Sequence, residues 1–184
     1  WKERFGGGSG YGGGIYGNAV IINCLIYNNE AEGGSSGDTP GSGSGGGVNG
    51  GISITNSTIC DNTAVNGWDH EGDPPGPNQS SGIAGSPQMV NSIVFNNGIS
   101  GSPNITYSDI EGGWPGAWNI NSDPQFTTST DYRLTAGSPC IDIADNSSVT
   151  WPDDLDGNIR IWDGDGIGEA IVDMGAYEYG APHT

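Results

Sequence analysis

Apolar residues in this chain gather in short clusters that recur at a long interval, and such an interval decides architecture before any single stretch does. Sliding the sequence along itself lays GGGIYGNAVIINCLIYNNEA (Gly12 to Ala31) over GGGVNGGISITNSTICDNTA (Gly45 to Ala64) at a shift of 33, with nine identities in twenty positions. A further shift of 35 places GIAGSPQMVNSIVFNN (Gly82 to Asn97) on the second copy, and a shorter step adds ITYSDIEGG (Ile105 to Gly113). Each copy reads as short strands bounded by turn residues. Ile15, Val48 and Ile83 share one column; Ile21, Ile54 and Met89 share a second; Ile26, Ile59 and Val94 share a third. These columns are expected to point inward.

Between the second and third columns stands an Asn in every copy (Asn23, Asn56, Asn91), and a second Asn column follows at Asn29, Asn62 and Asn97. Asn tolerates the left-handed conformation of tight turns, and stacked amides can hydrogen-bond to one another. The pattern predicts an all-β fold, a right-handed parallel β-helix with Asn ladders at its corners, over residues 1–120. A minimal coil needs only about twenty residues, so the longer periods imply insertions. GGSSGDTPGSGSGG (33–46) and GWDHEGDPPGPNQSSG (67–82) occupy equivalent positions and are expected to project as loops, the first as a flexible spacer. In the second, Trp68, Asp69 and His70, with Glu71 and Asp73 beside them, could stack on a sugar ring and hold a cation.

Composition narrows the picture. Of 184 residues, 35 are Gly and 11 Pro, which rules out a helical bundle, and the glycines lack collagen's period of three. Four Lys plus Arg against 22 Asp plus Glu give a formal charge of −18, so nucleic acid and anionic membranes are poor partners. No run approaches the roughly 18 apolar residues of a membrane span. Cys24, Cys60 and Cys140 match no zinc or redox spacing. Cys24 aligns with Ser57 and Ser92, whereas Cys60 aligns with Tyr27 and Phe95, so a Cys24–Cys60 disulfide is not expected. Asn56, Asn78, Asn104 and Asn146 begin glycosylation sequons, of which Asn78, in the second loop, is the candidate. At the other end, GGGSGYGGG begins in mid-repeat. An uncapped first coil is therefore expected, continuing from earlier coils of a longer chain or meeting a second copy head to tail, with Trp1, Lys2, Arg4, Phe5 and Tyr11 in the contact.

From Asn121 the repeat stops. Arg133 and Arg160 are almost the only cations among many carboxylates, which points to guanidinium–carboxylate pairing. WDGDGIGEA sets Asp163 and Asp165 before glycines, with Glu169 and Asp173 close behind, as in a Ca²⁺-binding loop, yet the twelfth position from Asp163 is Met174 and no EF-hand results. The order SDPQF, DYRLTAGSPCID, DDLDGNIRI, VDMGAYEY resembles the C-terminal end of bacterial secreted β-helix proteins of the "choice-of-anchor" type. The matching residues are Asp123, Pro124 and Phe126; Tyr132, Arg133, Leu134, Gly137, Ser138, Pro139, Ile141 and Asp142; Asp154, Asp156, Gly157 and Arg160; and Asp173, Gly175, Ala176, Tyr177 and Glu178. Cys140 departs from the small residue expected there, and the residues from Gly180 to Thr184 do not read as a sorting or anchoring tail, so cell attachment is not expected from this stretch. The resemblance implies export and a β-helix and names no reaction; the residues themselves, with carboxylates alternating with apolar positions and two arginines to pair them, read 121–184 as a C-terminal β cap.

Catalysis is not expected. A lyase acting on uronates needs a cation for the carboxylate and a base for the adjacent proton, and Gly12 to Trp118 contains no Lys or Arg. A hydrolase needs carboxylates clustered on one wall, but Asp61 and Asp109 form no column. His70 and His183 are isolated. The expected role is structural or adhesive, in an extracellular surface or filament, with Ca²⁺ as a possible cofactor; the alternative is a carbohydrate-binding module or the remnant of a polysaccharide lyase or hydrolase.

Overall fold

Strands of two to five residues bounded by Asn and Gly have too few hydrogen bonds to stand alone, so they persist only by stacking on equivalents from other repeats. A computed structural model describes residues 6–36, 40–68 and 81–184 and shows such stacking. The first repeat supplies β1 (Gly10–Tyr11), β2 (Ile15–Tyr16), β3 (Val20–Ile22), β4 (Leu25–Tyr27) and β5 (Glu30–Glu32). The second supplies β6 (Gly43–Ser44), β7 (Val48–Gly50), β8 (Ser53–Thr55), β9 (Thr58–Cys60) and β10 (Thr63–Val65). The third gives β11 (Ser81–Gly85), β12 (Gln88–Val90) and β13 (Ile93–Phe95), and the fourth β14 (Gly98–Ile99), β15 (Asn104–Thr106) and β16 (Asp109–Ile110). A 3-10 turn at Asn146–Ser148 is the only helical element among the described residues, so the fold is nearly all β.

Every pairing between the described strands is parallel. Three four-stranded sheets run β2-β7-β11-β14, β3-β8-β12-β15 and β4-β9-β13-β16, and two pairs join β1 to β6 and β5 to β10. The register matches the three expected columns and extends each to the fourth repeat: Ile15–Val48–Ile83–Ile99, Ile21–Ile54–Met89–Ile105 and Ile26–Ile59–Val94–Ile110. These residues form one core, in which Val48, Ile54, Ile59, Ile83 and Ile105 are completely buried. Burying each such side chain contributes about 1.5–3 kcal/mol.

The two Asn columns do different jobs. Asn23, Asn56 and Asn91 take φ of 51°, 47° and 53°, and Tyr107 takes 48° at the equivalent place in the fourth repeat. They bend the backbone and make no ladder among themselves. The ladder beside them runs through the next residue: the Cys24, Ser57 and Ser92 amides donate to the Oγ of Ser57, Ser92 and Ser108 at 3.0–3.3 Å. At the other corner the left-handed residues are Asn28 (φ 54°), Asp61 (55°) and Asn96 (51°), one position before the expected column. Asn29, Asn62 and Asn97 instead make the amide ladder, with Asn29 Nδ2 donating to Asn62 Oδ1 at 2.9 Å and Asn62 Nδ2 to Asn97 Oδ1 at 3.2 Å. A left-handed corner residue turns the next side chain inward, where its amide can bridge repeats.

In the first insertion, expected as a flexible spacer, the described residues 33–36 and 40–46 are tied into the stack. Within 33–46 the Gly33 amide donates to the Val65 carbonyl at 2.9 Å, and β6 pairs with β1. A Cβ at Gly46 would stand 2.0 Å from the Thr63 carbonyl oxygen. Glycine is present here because two backbones pass too close for a side chain. Of the second insertion, Asp69 to Ser80 lies outside the described residues.

Closure of the stack draws on more than the C-terminal region 121–184. The end of the stack is covered by the stretch just before it: Ile120 bridges in parallel to Asp109, Asn119 Oδ1 accepts from the Ser108 amide at 3.1 Å, and Trp114 packs against the core. The remaining chain runs back along the flank. It meets the fourth repeat where Cys140 Sγ donates to Asp109 Oδ2 (3.2 Å), the third where Gly175 N donates to the Asn91 carbonyl (2.9 Å), the second where Ala176 N donates to Thr58 Oγ1 (3.0 Å), and the first where Asn23 Nδ2 donates to the Asp153 carbonyl (2.5 Å). A second core forms between flank and stack, from Ile93, Leu134, Cys140, Ala144, Val172 and Met174.

Candidate functional site

The Asn28–Asp61–Asn96 corner projects polar side chains where the flank crosses the stack. Asp61 is tied from both sides: Asn96 Nδ2 donates to its Oδ1, and the Tyr132 hydroxyl donates to its Oδ2 at 2.8 Å. Asn96 also reaches the opposite way, its backbone amide donating to Glu111 Oε2 at 2.5 Å. Two carboxylates from different repeats are thus fixed on either side of one asparagine. Tyr132 is itself set by aromatic contacts, 5.5 Å from the Tyr27 ring and 5.3 Å from Phe126 in an edge-to-face arrangement, and Phe126 stands edge-on to Phe95 at 6.0 Å. Burial and the hydrogen bond to Asp61 push the Tyr132 phenol well above its ordinary range, so it remains a donor.

Two clefts meet at this network. One, of about 320 Å³, is lined by Asn62, Thr63, Asn97 and Gly98; the other, of about 260 Å³, by Phe95, Phe126, Thr128 and Tyr132; both include Asp61, Asn96 and Glu111. Sequence reasoning had placed Asp61 with Asp109 and found no column. The partner is Glu111, which follows the fourth strand of its sheet, and Asn96, one repeat above Asp61 at the shift of 35, was the available signal. Asp109 is instead buried against Cys140 and Ser122, and burial raises its carboxyl.

The expected metal residues are only partly assembled. Asp163 and Asp165 come together with Asp142, one ligand oxygen of each lying within 4.8 Å of the others. Glu169 is exposed and Asp173 fully buried, and neither belongs to this group. Asp173 turns inward because its oxygens accept the Asp142 amide at 2.8 Å and the Tyr179 amide at 2.7 Å. Asp142 fills its expected place, accepting from the amides of Gly164 (3.2 Å) and Asp165 (2.9 Å). Beside this turn, Arg160 is wholly buried among Asp154, Asp173 and Glu178; Nη1 lies 3.7 Å from Glu178 Oε2, and Nη2 donates to the Gly175 carbonyl. Burial raises Asp173 to about 7, and burial with the neighbouring Asp173 raises Glu178 to about 10. Arg133 shows the expected pairing at the surface, bidentate to Asp156 at 2.6 and 2.7 Å with Asp131 at 2.8 Å.

Trp68 is exposed, its amide donating to Ser35 Oγ at 3.0 Å. Asp69, His70 and the candidate glycosylation residue Asn78 lie outside the described residues, as do Trp1, Lys2, Arg4 and Phe5. Asn56 is completely buried, which denies a glycan access to that sequon. The three cysteines are unpaired; Cys24 stands in the serine column and Cys60 opposite Tyr27 and Phe95, and burial raises the Cys60 and Cys140 thiols far above the range of a reactive thiolate. No helix among the described residues is long and apolar enough to cross a membrane. Comparison with protein-family models, with curated proteins and with solved structures finds no match for this chain.

Proposed function

We propose that the chain is a segment of a secreted bacterial right-handed parallel β-helix of the choice-of-anchor type, acting as a structural or adhesive scaffold outside the cell. The observation that carries this reading is the repetition itself: strands of four repeats enter the same three parallel sheets in the same order, with side-chain ladders continuing from one repeat to the next. Such an arrangement supplies stiffness and length, and its recurring geometry serves stacking. An acidic surface almost without Lys agrees with an exported protein kept apart from nucleic acid. Fractionation of the producing cells, followed by electron microscopy of the native material, tests it. The expected result is an extracellular, elongated particle or filament; a cytoplasmic protein of compact outline would overturn it.

Within this proposal Ca²⁺ is the cation for the turn at Asp142, Asp163 and Asp165, where it would pin the flank. The expected sign is a melting temperature that rises with added calcium and returns in chelator. Substituting Asp163→Asn should abolish that response; a melting curve indifferent to calcium leaves an acidic turn held by backbone amides.

A further inference from the structure

The lining of the paired clefts is one-sided in its chemistry. It offers the acceptors Asp61 and Glu111 and an aromatic wall at Phe95 and Phe126, and no Lys, Arg or His, while the Asn96 and Asn97 side-chain amides are engaged within the protein, donating to Asp61 and to the carbonyls of Ile59 and Phe95. A ligand suited to it brings several donors, carries no negative charge and has an apolar face to lay against the rings. The acceptors are also fixed in advance. Asp61 is held by Asn96 and Tyr132, and Glu111 by the Asn96 backbone, so little ordering remains to be done on binding.

We propose that these clefts bind a neutral saccharide chain, its hydroxyls donating to Asp61 and Glu111 and the apolar side of a sugar ring resting against the Phe95–Phe126 wall. A divalent cation fits less well. Oxygen-loving cations gather six or more ligands, and among the described residues only Asp142, Asp163 and Asp165 form a group of three acidic ligands. Uronates would meet two carboxylates on a molecule of formal charge −18. A basic peptide would find charge but would leave the aromatic wall without function. The two clefts share Asp61, Asn96 and Glu111 in their lining, so one ligand chain bound along this line could meet acceptors and rings together.

The test is a screen of the intact chain against immobilised neutral oligosaccharides, uronate oligosaccharides and a lysine-rich peptide, followed by calorimetric titration of what is retained. Neutral oligosaccharides are expected to bind and the other two to pass. Glu111→Gln removes a charged acceptor at an exposed position and should weaken binding about tenfold. Phe126→Leu keeps apolar volume without the flat ring and should weaken it also, with unchanged melting temperature as the control for folding; Asp61→Asn is the substitute if that variant melts early. Retention of uronates or the peptide in preference, no retained neutral glycan, or native affinity in these variants would each overturn the proposal.

Discussion

At the scale of the residue, the two asparagine columns show how one residue type serves two physical needs. Asn62 is almost wholly buried, and its Nδ2 donates to the carbonyls of Ile26 and Cys60, both at 2.9 Å, while its Oδ1 accepts from the Asn29 amide at 3.0 Å. Asn62→Ala leaves several of these groups buried without partners, each costing about 1–3 kcal/mol. The expected loss in urea unfolding is about 3 kcal/mol, whereas Asn28→Gly, at a corner where φ is 54°, should change stability by only a few tenths of a kcal/mol. Equal losses at the two positions would show that the division of labour is wrong. The columns were legible because identical residues recur at shifts of 33 and 35; the exact corner was not, because Asp61 and Tyr107 share the left-handed conformation without sharing the letter. Acid chemistry was equally hidden. Asp173 reads as one carboxylate among many, yet it is buried beside Glu178, Arg160, Asp142 and Asp154, with a pKa raised to about 7. The fold therefore holds its proton where the unfolded chain, near 3.9, has lost it, so this group's contribution is full below about pH 4 and disappears as pH rises through 7. Glu178, raised as well by burial and by the neighbouring Asp173, acts in the same direction. Between pH 5 and pH 8 Asp173 should subtract on the order of 2 kcal/mol from unfolding free energy, and Asp173→Asn should flatten that slope. A slope unchanged in the variant would assign the pH dependence elsewhere.

At the scale of the element, the glycine runs and the flank depart most from what sequence suggested. A run such as GSGSGGG reads as flexible because unfolded glycine is, but the property used here is its lack of a side chain. Gly46→Ala would set a methyl 2.0 Å from the Thr63 carbonyl oxygen, and Gly43→Ala would set one 2.2 Å from those of Ala31 and Val65. Backbone must shift in either case, so both substitutions are expected to cost several times the roughly 1 kcal/mol attached to an ordinary glycine position. Thermal melting decides, since a linker would accept alanine freely. The flank was illegible for a different reason. From Asp123 onward regularity ends, and the chain is held by side chains bonding locally to backbone, as where Asp145 accepts from the Ser147 amide and Asp154 from those of Asp156 and Asn158. Such turns carry no periodicity, so the family-like motifs announced the segment without its course. Its role became visible only once contacts to Asp109, Asn91, Thr58 and Asn23 placed it across four repeats.

At the scale of the whole molecule, a stack whose repeats touch only their neighbours should unfold piece by piece, and a segment lying across all of them should oppose that. The two tendencies can be separated by hydrogen exchange. Strands β8, β9, β12 and β13 have partners on both sides, whereas β3 and β4 pair on one side only among the described residues. Exchange is expected to be slowest at Ile54, Ile59, Met89 and Val94 and faster at Ile21 and Ile26, which are also slightly exposed at 5% and 7%. Met174 lies in the flank, fully buried and in one core with Ile93 of β13. Met174→Ala should cost about 2–5 kcal/mol through the cavity it leaves. If the flank couples the repeats, that loss appears not only near Met174 but as faster exchange throughout β9, β13 and β16, because their shared sheet loses its lateral support at once. If the repeats are independent, faster exchange stays confined to the flank and to Ile93. The first outcome is expected, since the flank reaches the stack through hydrogen bonds at Thr58, Asn91 and Asp109, which lie in three successive repeats, and a displaced flank strands all of these groups together.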